Sequence, residues 1–393
     1  MSALLPPLRF TGASILRDGE MQRRSLSIDE GRITRGPLPE VNMSGYLLLP
    51  GIVDLHGDAF ERHVAPRASA PFDLQIGLAS TWRDAAANGV TTGWLAQSWS
   101  WEGGRRGPDF AETLLAAHAA RRAQSGTDLR VQIRCETHTT DTAERLLAAV
   151  RRWGIDYVVF NDHLPESLEE LRERPGDAAS TARAAGRSLE EHERILTDAD
   201  ARSREVPRHL CRLAEAFDDL GVTYGSHDDP DGETRERYSM IGATIAEFPT
   251  SRRAAAAAKA MNDPVLMGAP NVVRGGSQVG RIAAADLVAE NLCDALVSDY
   301  YYPALAHAAW RLVDDGILPL QEAWALISTA PASILGLPDR GTLDPGRRAD
   351  LVAINAETRQ IEMTIAGGSP TYLSGAAASR IAHAGSGLRI AAE

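Results

Sequence analysis

Between Gly51 and Leu335 one pattern repeats: an apolar run of strand length, a polar turn, then a helical segment that often closes on a glycine. The apolar runs fall at 52–55, 90–96, 129–136, 157–160, 222–225, 244–248, 265–269 and 294–299. Helical segments lie between them, at 74–88, 110–125, 141–153, 208–220, 252–261 and 281–292, with two more at 304–315 and 320–335. Strands that alternate with helices pair in parallel, because each crossover must carry the chain back across the sheet. Eight such units predict an α/β fold, a TIM-like (β/α)8 barrel.

The flanks read differently. Short strand patterns separated by Asp18-Gly19, Asp29-Glu-Gly31 and Gly36-Pro37 fill residues 8–49, and a β pattern returns after 340. Segments 1–49 and 340–393 are therefore expected to form one small β-sandwich domain, with the barrel, 50–339, inserted between them. Residues 366–393, rich in Gly, Ala and Ser, are expected to end as a weakly determined tail. Residues 164–205 are a charged excursion, read as a solvated helical insertion, with a lid over the site as the other reading.

Composition narrows the partners. The chain has 393 residues and a formal net charge of −12, which argues against general nucleic-acid binding. No apolar run reaches the length of a membrane span, and the N-terminus lacks a secretory pattern. Cys135, Cys211 and Cys293 form no Cys-x-x-Cys, so a reducing cytoplasm is expected. A homo-oligomer is left open.

Chemistry collects at the C-terminal strand ends, the catalytic face of such a barrel. The first strand ends in His56 and Asp58, the third in Glu136, the fourth in Asp162 and His163, the fifth in His227 and the eighth in Asp299. His56 and Asp58 are two apart and so share a face. An isolated His-x-Asp is more often a buried hydrogen-bonded pair; a set of imidazoles and carboxylates on one rim points instead to a metal. His56, Asp58, Glu136, His163, His227 and Asp299 are the candidate ligands for one or two divalent ions, with Glu136 the candidate bridge. Zinc or manganese would suit, the oxygen-rich set tilting toward manganese. Asp299 is also the candidate catalytic base for a metal-activated water. His138 is a weaker ligand candidate, and His118, His192, His209, His307 and His383 are expected to be structural or on the surface.

Three stretches resemble the amidohydrolase superfamily: Leu49-Pro-Gly-Ile-Val-Asp-Leu-His56, Ser298-Asp299, and Gly341-Thr-Leu-Asp-Pro-Gly-Arg-Arg-Ala-Asp-Leu-Val352. The usual His-x-His of that superfamily is His-x-Asp here. Further stretches resemble one branch, the α-D-ribose 1-methylphosphonate 5-triphosphate diphosphatases of the carbon–phosphorus lyase pathway. These are Asp54-Leu-His-Gly-Asp-Ala-Phe-Glu-Arg-His63, Phe160-Asn-Asp-His163, Ser226-His-Asp-Asp229, Ala246-Glu-Phe-Pro-Thr250, Gly268-Ala-Pro-Asn-Val-Val-Arg-Gly-Gly-Ser277 and Ser298-Asp-Tyr300. Gly57 and Ala59 stand where that branch tends to have Thr and Asn, and Gln278 where it has His.

The resemblance implies a small anionic phosphorylated substrate. Its α-phosphorus would be attacked by activated water, releasing the 5-phosphate and diphosphate. Arg62, His63, Arg67, Asn271, Arg274 and Ser277 are the candidate substrate contacts. Glu247 would either pair an arginine or meet substrate hydroxyls. Two alternatives stand beside this: a C–N hydrolase of a cyclic amide or N-acyl substrate, favoured by an apolar pocket, and a non-catalytic scaffold.

Overall fold

The structure is a computed structural model that describes residues 3–67, 70–122, 125–276 and 282–390. The N-terminal strands are β1 (Leu8–Thr11), β2 (Ser14–Arg17), β3 (Glu20–Gln22), β4 (Leu26–Asp29), β5 (Arg32–Thr34), β6 (Glu40–Asn42) and β7 (Tyr46–Pro50). The barrel strands are β8 (Ile52–Gly57), β9 (Val90–Trp99), β10 (Asp128–Glu136), β11 (Tyr157–Asn161), β12 (Thr223–His227), β13 (Ile245–Glu247), β14 (Val265–Gly268) and β15 (Ala295–Val297). They form one parallel sheet in sequence order, β8 to β15, with helices between them. Three strands follow: β16 (Leu351–Asn355), β17 (Ile361–Ala366) and β18 (Ser369–Leu373).

The two flanks make two sheets, ordered β5-β4-β1-β6 and β18-β17-β16-β7-β2-β3. Leu8, Phe10, Leu26, Ile28 and Val41 of the first pack in one apolar cluster with Ile15, Leu48, Leu351, Ala353 and Met363 of the second. Strand β16 pairs antiparallel with β7, Leu351 opposite Pro50, so the returning chain clasps the strand that runs into the barrel. After β18 the chain forms a helix over Gly375–Ile390; of the tail expected to be weakly determined, residues 391–393 lie outside the described residues.

The seam between the first and last barrel strands is closed at three levels. At the mouth, Asp58 N–H donates to Asp299 O at 2.8 Å and Asp299 N–H donates to His56 O at 2.9 Å. One level below, the Asp54 carboxylate accepts both the backbone N–H (2.9 Å) and the hydroxyl (2.6 Å) of Ser298. At the bottom, Leu326 O accepts from Leu296 N–H and Ile327 O from Val53 N–H, each at 2.9 Å. These carbonyls leave the helical ladder, which is why the helix expected over 320–335 is broken into Leu320–Ala325 and Thr329–Ile334. Gly57 is set by this seam, since a Cβ there would lie 2.8 Å from Ser298 Oγ and 2.9 Å from Asp54 Oδ2.

The charged excursion is helical, over Leu164–Glu173, Pro175–Ala184 and Leu189–Ala201, and packs a small core of Leu164, Leu196 and Ala199 beside Trp101. Among the described residues no helix is long and apolar enough to cross a membrane.

Candidate metal centre and active site

Strand β10 alternates by face. Val131, Ile133 and Cys135 pack outward among Leu115, Leu146 and Val150 of the covering helices. Gln132, Arg134 and Glu136 therefore point inward, at successive heights up the barrel. Gln132 reaches the buried Glu247 on β13, donating from Nε2 to Oε1 at 2.6 Å. Arg134 lines the cavity at the mouth together with His56, His227 and Asp299, a space of about 350 Å³.

His56 is buried at the end of β8. Its Nδ1 lies 2.8 Å from Glu247 Oε2, while Glu247 Oε1 also accepts from the Tyr157 hydroxyl at 2.6 Å. That carboxylate fixes the His56 tautomer with Nδ1 protonated and leaves Nε2 as the lone pair that could take a metal. Ligand-type atoms of His56, His227 and Glu247 lie within 4.8 Å of one another. Glu247 is nevertheless the support of His56 rather than a ligand, because its oxygens already accept three hydrogen bonds. It is fully buried, so the expectation that it meets substrate is corrected.

His227 sits 5.4 Å from His56, ring to ring. Phe248 closes edge-on against both imidazoles, at 5.0 and 4.9 Å. Asp228 Oδ2 is 3.0 Å from His227 Nδ1, yet among the described residues this buried Nδ1 has no well-formed hydrogen bond. Burial lowers the His227 pKa to about 4, which keeps the ring neutral and able to ligate.

Asp299 follows β15 with its backbone in the left-handed region, φ 54°. Asp228 and Phe248, just past β12 and β13, share that conformation at φ 59° and 50°. Three non-glycine residues in strained backbone on one rim mark a shape held by its surroundings. Burial, then the nearby Asp58, raise the Asp299 pKa to about 6. Burial and the same Asp58 charge also raise that of Glu61. Crowded carboxylates beside imidazole lone pairs and an orphaned buried nitrogen are what a divalent cation would relieve, so these residues fit one.

A second group holds Glu136, Glu102 and His163, their ligand-type atoms within 4.8 Å of one another. Glu136 Oε1 is 2.7 Å from His163 Nδ1, and its Oε2 accepts the His163 backbone N–H at 3.1 Å. The His163 and His227 rings are 6.5 Å apart, so the two groups adjoin. The candidate ligands thus divide: His56, His227 and Asp299 face one cavity, while Glu136 and His163 form the neighbouring cluster. Asp58 joins neither group; its Oδ2 lies 3.9 Å from Arg134 Nη1. His138 is bonded to Thr137 and Ser203 and is not free to ligate.

The expected substrate contacts mostly lie elsewhere. Arg62 (2.8 Å) and His63 (3.0 Å) both bind Asp84 on the helix 74–87, and lie outside the cavity lining. Arg67 is exposed and lies outside the cavity lining. Asn271 does line the cavity, yet its side chain braces Ile282 and Ala284. Arg274 ends the short helix Ala269–Arg274, exposed to solvent, and Ser277 lies outside the described residues. Arg134, Glu102 and Phe248 were not anticipated. Arg134 was findable, since it precedes Glu136 by two in a strand whose inward positions are all polar.

A larger cavity of about 610 Å³ adjoins the first and shares His227, Asp228 and Thr250 with it. Leu210, Tyr238, Met240 and Ile241 make much of its wall, with Asp162 and Glu166 at its edge.

A family profile described as the amidohydrolase family matches residues 59–372. The chain is 31% identical over 371 residues to the α-D-ribose 1-methylphosphonate 5-triphosphate diphosphatase of Escherichia coli (strain K12), covering 90% of this chain and 97% of that protein. Among solved structures it resembles the β-aspartyl dipeptidase of Fervidobacterium islandicum AW-1, with TM-score 0.64, 13% identity and coverage of 93% of this chain and 97% of that one. It likewise resembles the N-acetylglucosamine-6-phosphate deacetylase of Pasteurella multocida, with TM-score 0.62, 10% identity and coverage of 93% and 99%. At those identities the solved structures share the fold alone.

Proposed function

The chain belongs to the amidohydrolase family of hydrolases, and from that premise we propose that it cleaves α-D-ribose 1-methylphosphonate 5-triphosphate to the 5-phosphate and diphosphate. The observation that carries the hydrolytic reading is the convergence of His56, His227 and Asp299 on one cavity. The likeness to the diphosphatase, which runs almost the full length of both chains, directs the reading to a phosphoanhydride bond.

A divalent ion such as zinc or manganese, when bound, would acidify a water and offset charge on the leaving oxygens. His56 and His227 would hold it, His56 steadied by Glu247. The neighbouring Glu136 and His163 could hold a second ion. Asp299, which lines the same cavity, would accept the proton of the attacking water. The water oxygen bonds to the α-phosphorus, the α–β bridging P–O bond breaks, and diphosphate departs.

A second reading has its own observation. The larger cavity is walled mainly by apolar side chains, which suits a C–N hydrolase acting on a cyclic amide or N-acyl substrate. An assay of phosphate and diphosphate release over ribose and nucleoside triphosphates, with amides as controls, separates the two. Diphosphate release after metal loading supports the first reading, and turnover of amides alone sinks it.

A further inference from the structure

Arginine in a protein interior is normally bonded on most of its donors, and two arginines of this chain behave so. Arg130 binds both Asp128 and Asp156, and Arg340 binds Asp128, Asp339 and Thr92. Arg134 does not. Its side chain is only 14% exposed; among the described residues its one ion pair is the 3.9 Å approach to Asp58, and its buried Nε has no hydrogen-bond partner. Holding a guanidinium this far from water with its Nε unbonded and its one ion pair at long range is costly unless an anion completes the site.

Its position identifies that anion. Arg134 pairs with Ser98 and Val159 on the neighbouring strands, two residues below the pairing of Glu136 with Asn161. The guanidinium therefore rises from the floor of the mouth, and it lines the same cavity as His56, His227 and Asp299. A group held in that cavity beside Asp299 therefore shares its walls with Arg134. Of the carboxylates nearby, Glu136 is engaged with His163, and Asp58 comes no closer to the guanidinium than 3.9 Å. The planar fork of arginine matches two oxygens of a tetrahedral phosphoryl group.

We infer that Arg134 is a phosphate-binding residue of this site, donating to the nonbridging oxygens of the phosphoryl group under attack. This rests on the phosphoanhydride reading above and replaces the sequence-expected Arg62, Arg67 and Arg274 in that role. A cation fixed there also opposes negative charge as it builds on those oxygens.

The test is calorimetric titration of inorganic phosphate into metal-loaded wild type, Arg134→Gln and Arg134→Lys, with metal content and melting temperature measured on each. The expected result is at least about a tenfold loss of phosphate affinity in Arg134→Gln. Arg134→Lys should fall between, because it keeps the charge and loses the fork. Metal content should be equal in all three. If Arg134→Gln does not fold, the lysine variant decides, and wild-type affinity in it overturns the inference. Wild-type affinity in Arg134→Gln, with triphosphate hydrolysis intact, overturns the inference and leaves the proposed function standing. A wild type that neither binds phosphate nor hydrolyses triphosphates overturns both.

Discussion

Glu247 at the end of β13 accepts from His56 at the end of β8, 2.8 Å across the barrel interior. Three donors share that one carboxylate, and no water is needed to satisfy it. The His56 ring is thereby fixed in tautomer and orientation before any ion arrives. Glu247→Gln keeps the volume and removes the charge. Metal affinity should fall by about 10- to 100-fold, as is usual for the partner of a ligating histidine. Titration of the apoprotein with zinc or manganese measures this, and unchanged affinity would show that Glu247 does not orient a ligand.

The barrel seam predicts a stability effect remote from chemistry. In Ser298→Ala the buried Asp54 loses its hydroxyl donor. The cost should be about 1–3 kcal/mol, the usual penalty for an orphaned buried acceptor. Urea unfolding monitored by tryptophan fluorescence would read it. A loss near zero would mean that the seam does not depend on this bond.

For Asp299→Ala, turnover should drop by about 10²-fold or more if the carboxylate accepts the water proton. The strained backbone at this residue makes a second readout useful, because alanine tolerates φ 54° less well than aspartate. Asp299→Asn separates the roles: it keeps the shape, and its turnover should be as low as that of the alanine variant. Near-wild-type turnover in the asparagine variant would remove Asp299 from proton transfer.

His118 predicts a pH effect away from the site. It is buried, its Nε2 lies 2.8 Å from Leu129 O, and its ring stands 5.4 Å from Trp82. Burial lowers its pKa to about 4 from the ordinary 6.5. As pH falls between those values the unfolded chain takes up a proton that the folded chain refuses, so folding stability declines. Above the upper value neither state is charged and the contribution is flat. The decline should be on the order of 3 kcal/mol by pH 4. His118→Gln should lack this component in chemical denaturation across the same range, and identical pH curves would contradict it.

The barrel is legible in the sequence because each strand is a compact apolar run bounded by turn residues, and the count of eight survives in the structure. The rim is legible in part, for the same reason: polar residues that end apolar strands have one place to go. His56, His227 and Asp299 come together as that argument expects. What fails is partner choice. Arg62 and His63 follow the first ligands closely in sequence, yet a short helix over Phe60–Val64 turns them toward Asp84. Glu247 ends its strand as the others do, but its neighbours across the barrel, Gln132 and Tyr157, consume its oxygens. Such pairings are set by register between strands far apart in the chain, which local pattern does not encode. The helix expected over 320–335 breaks for a similar reason, since its middle is recruited to the seam.

That seam has a kinetic corollary. The backbone of Asp299 is the link that joins the last strand to the first at the mouth, and its side chain looks into the cavity. Ring closure and completion of the acid–imidazole rim are consequently expected to occur in one folding event. An intermediate with an open ring would have His56 and His227 in hand but no acid opposite them. Recovery of ion binding and recovery of protected amides at residues 58 and 299 should therefore rise together on refolding, at one shared rate.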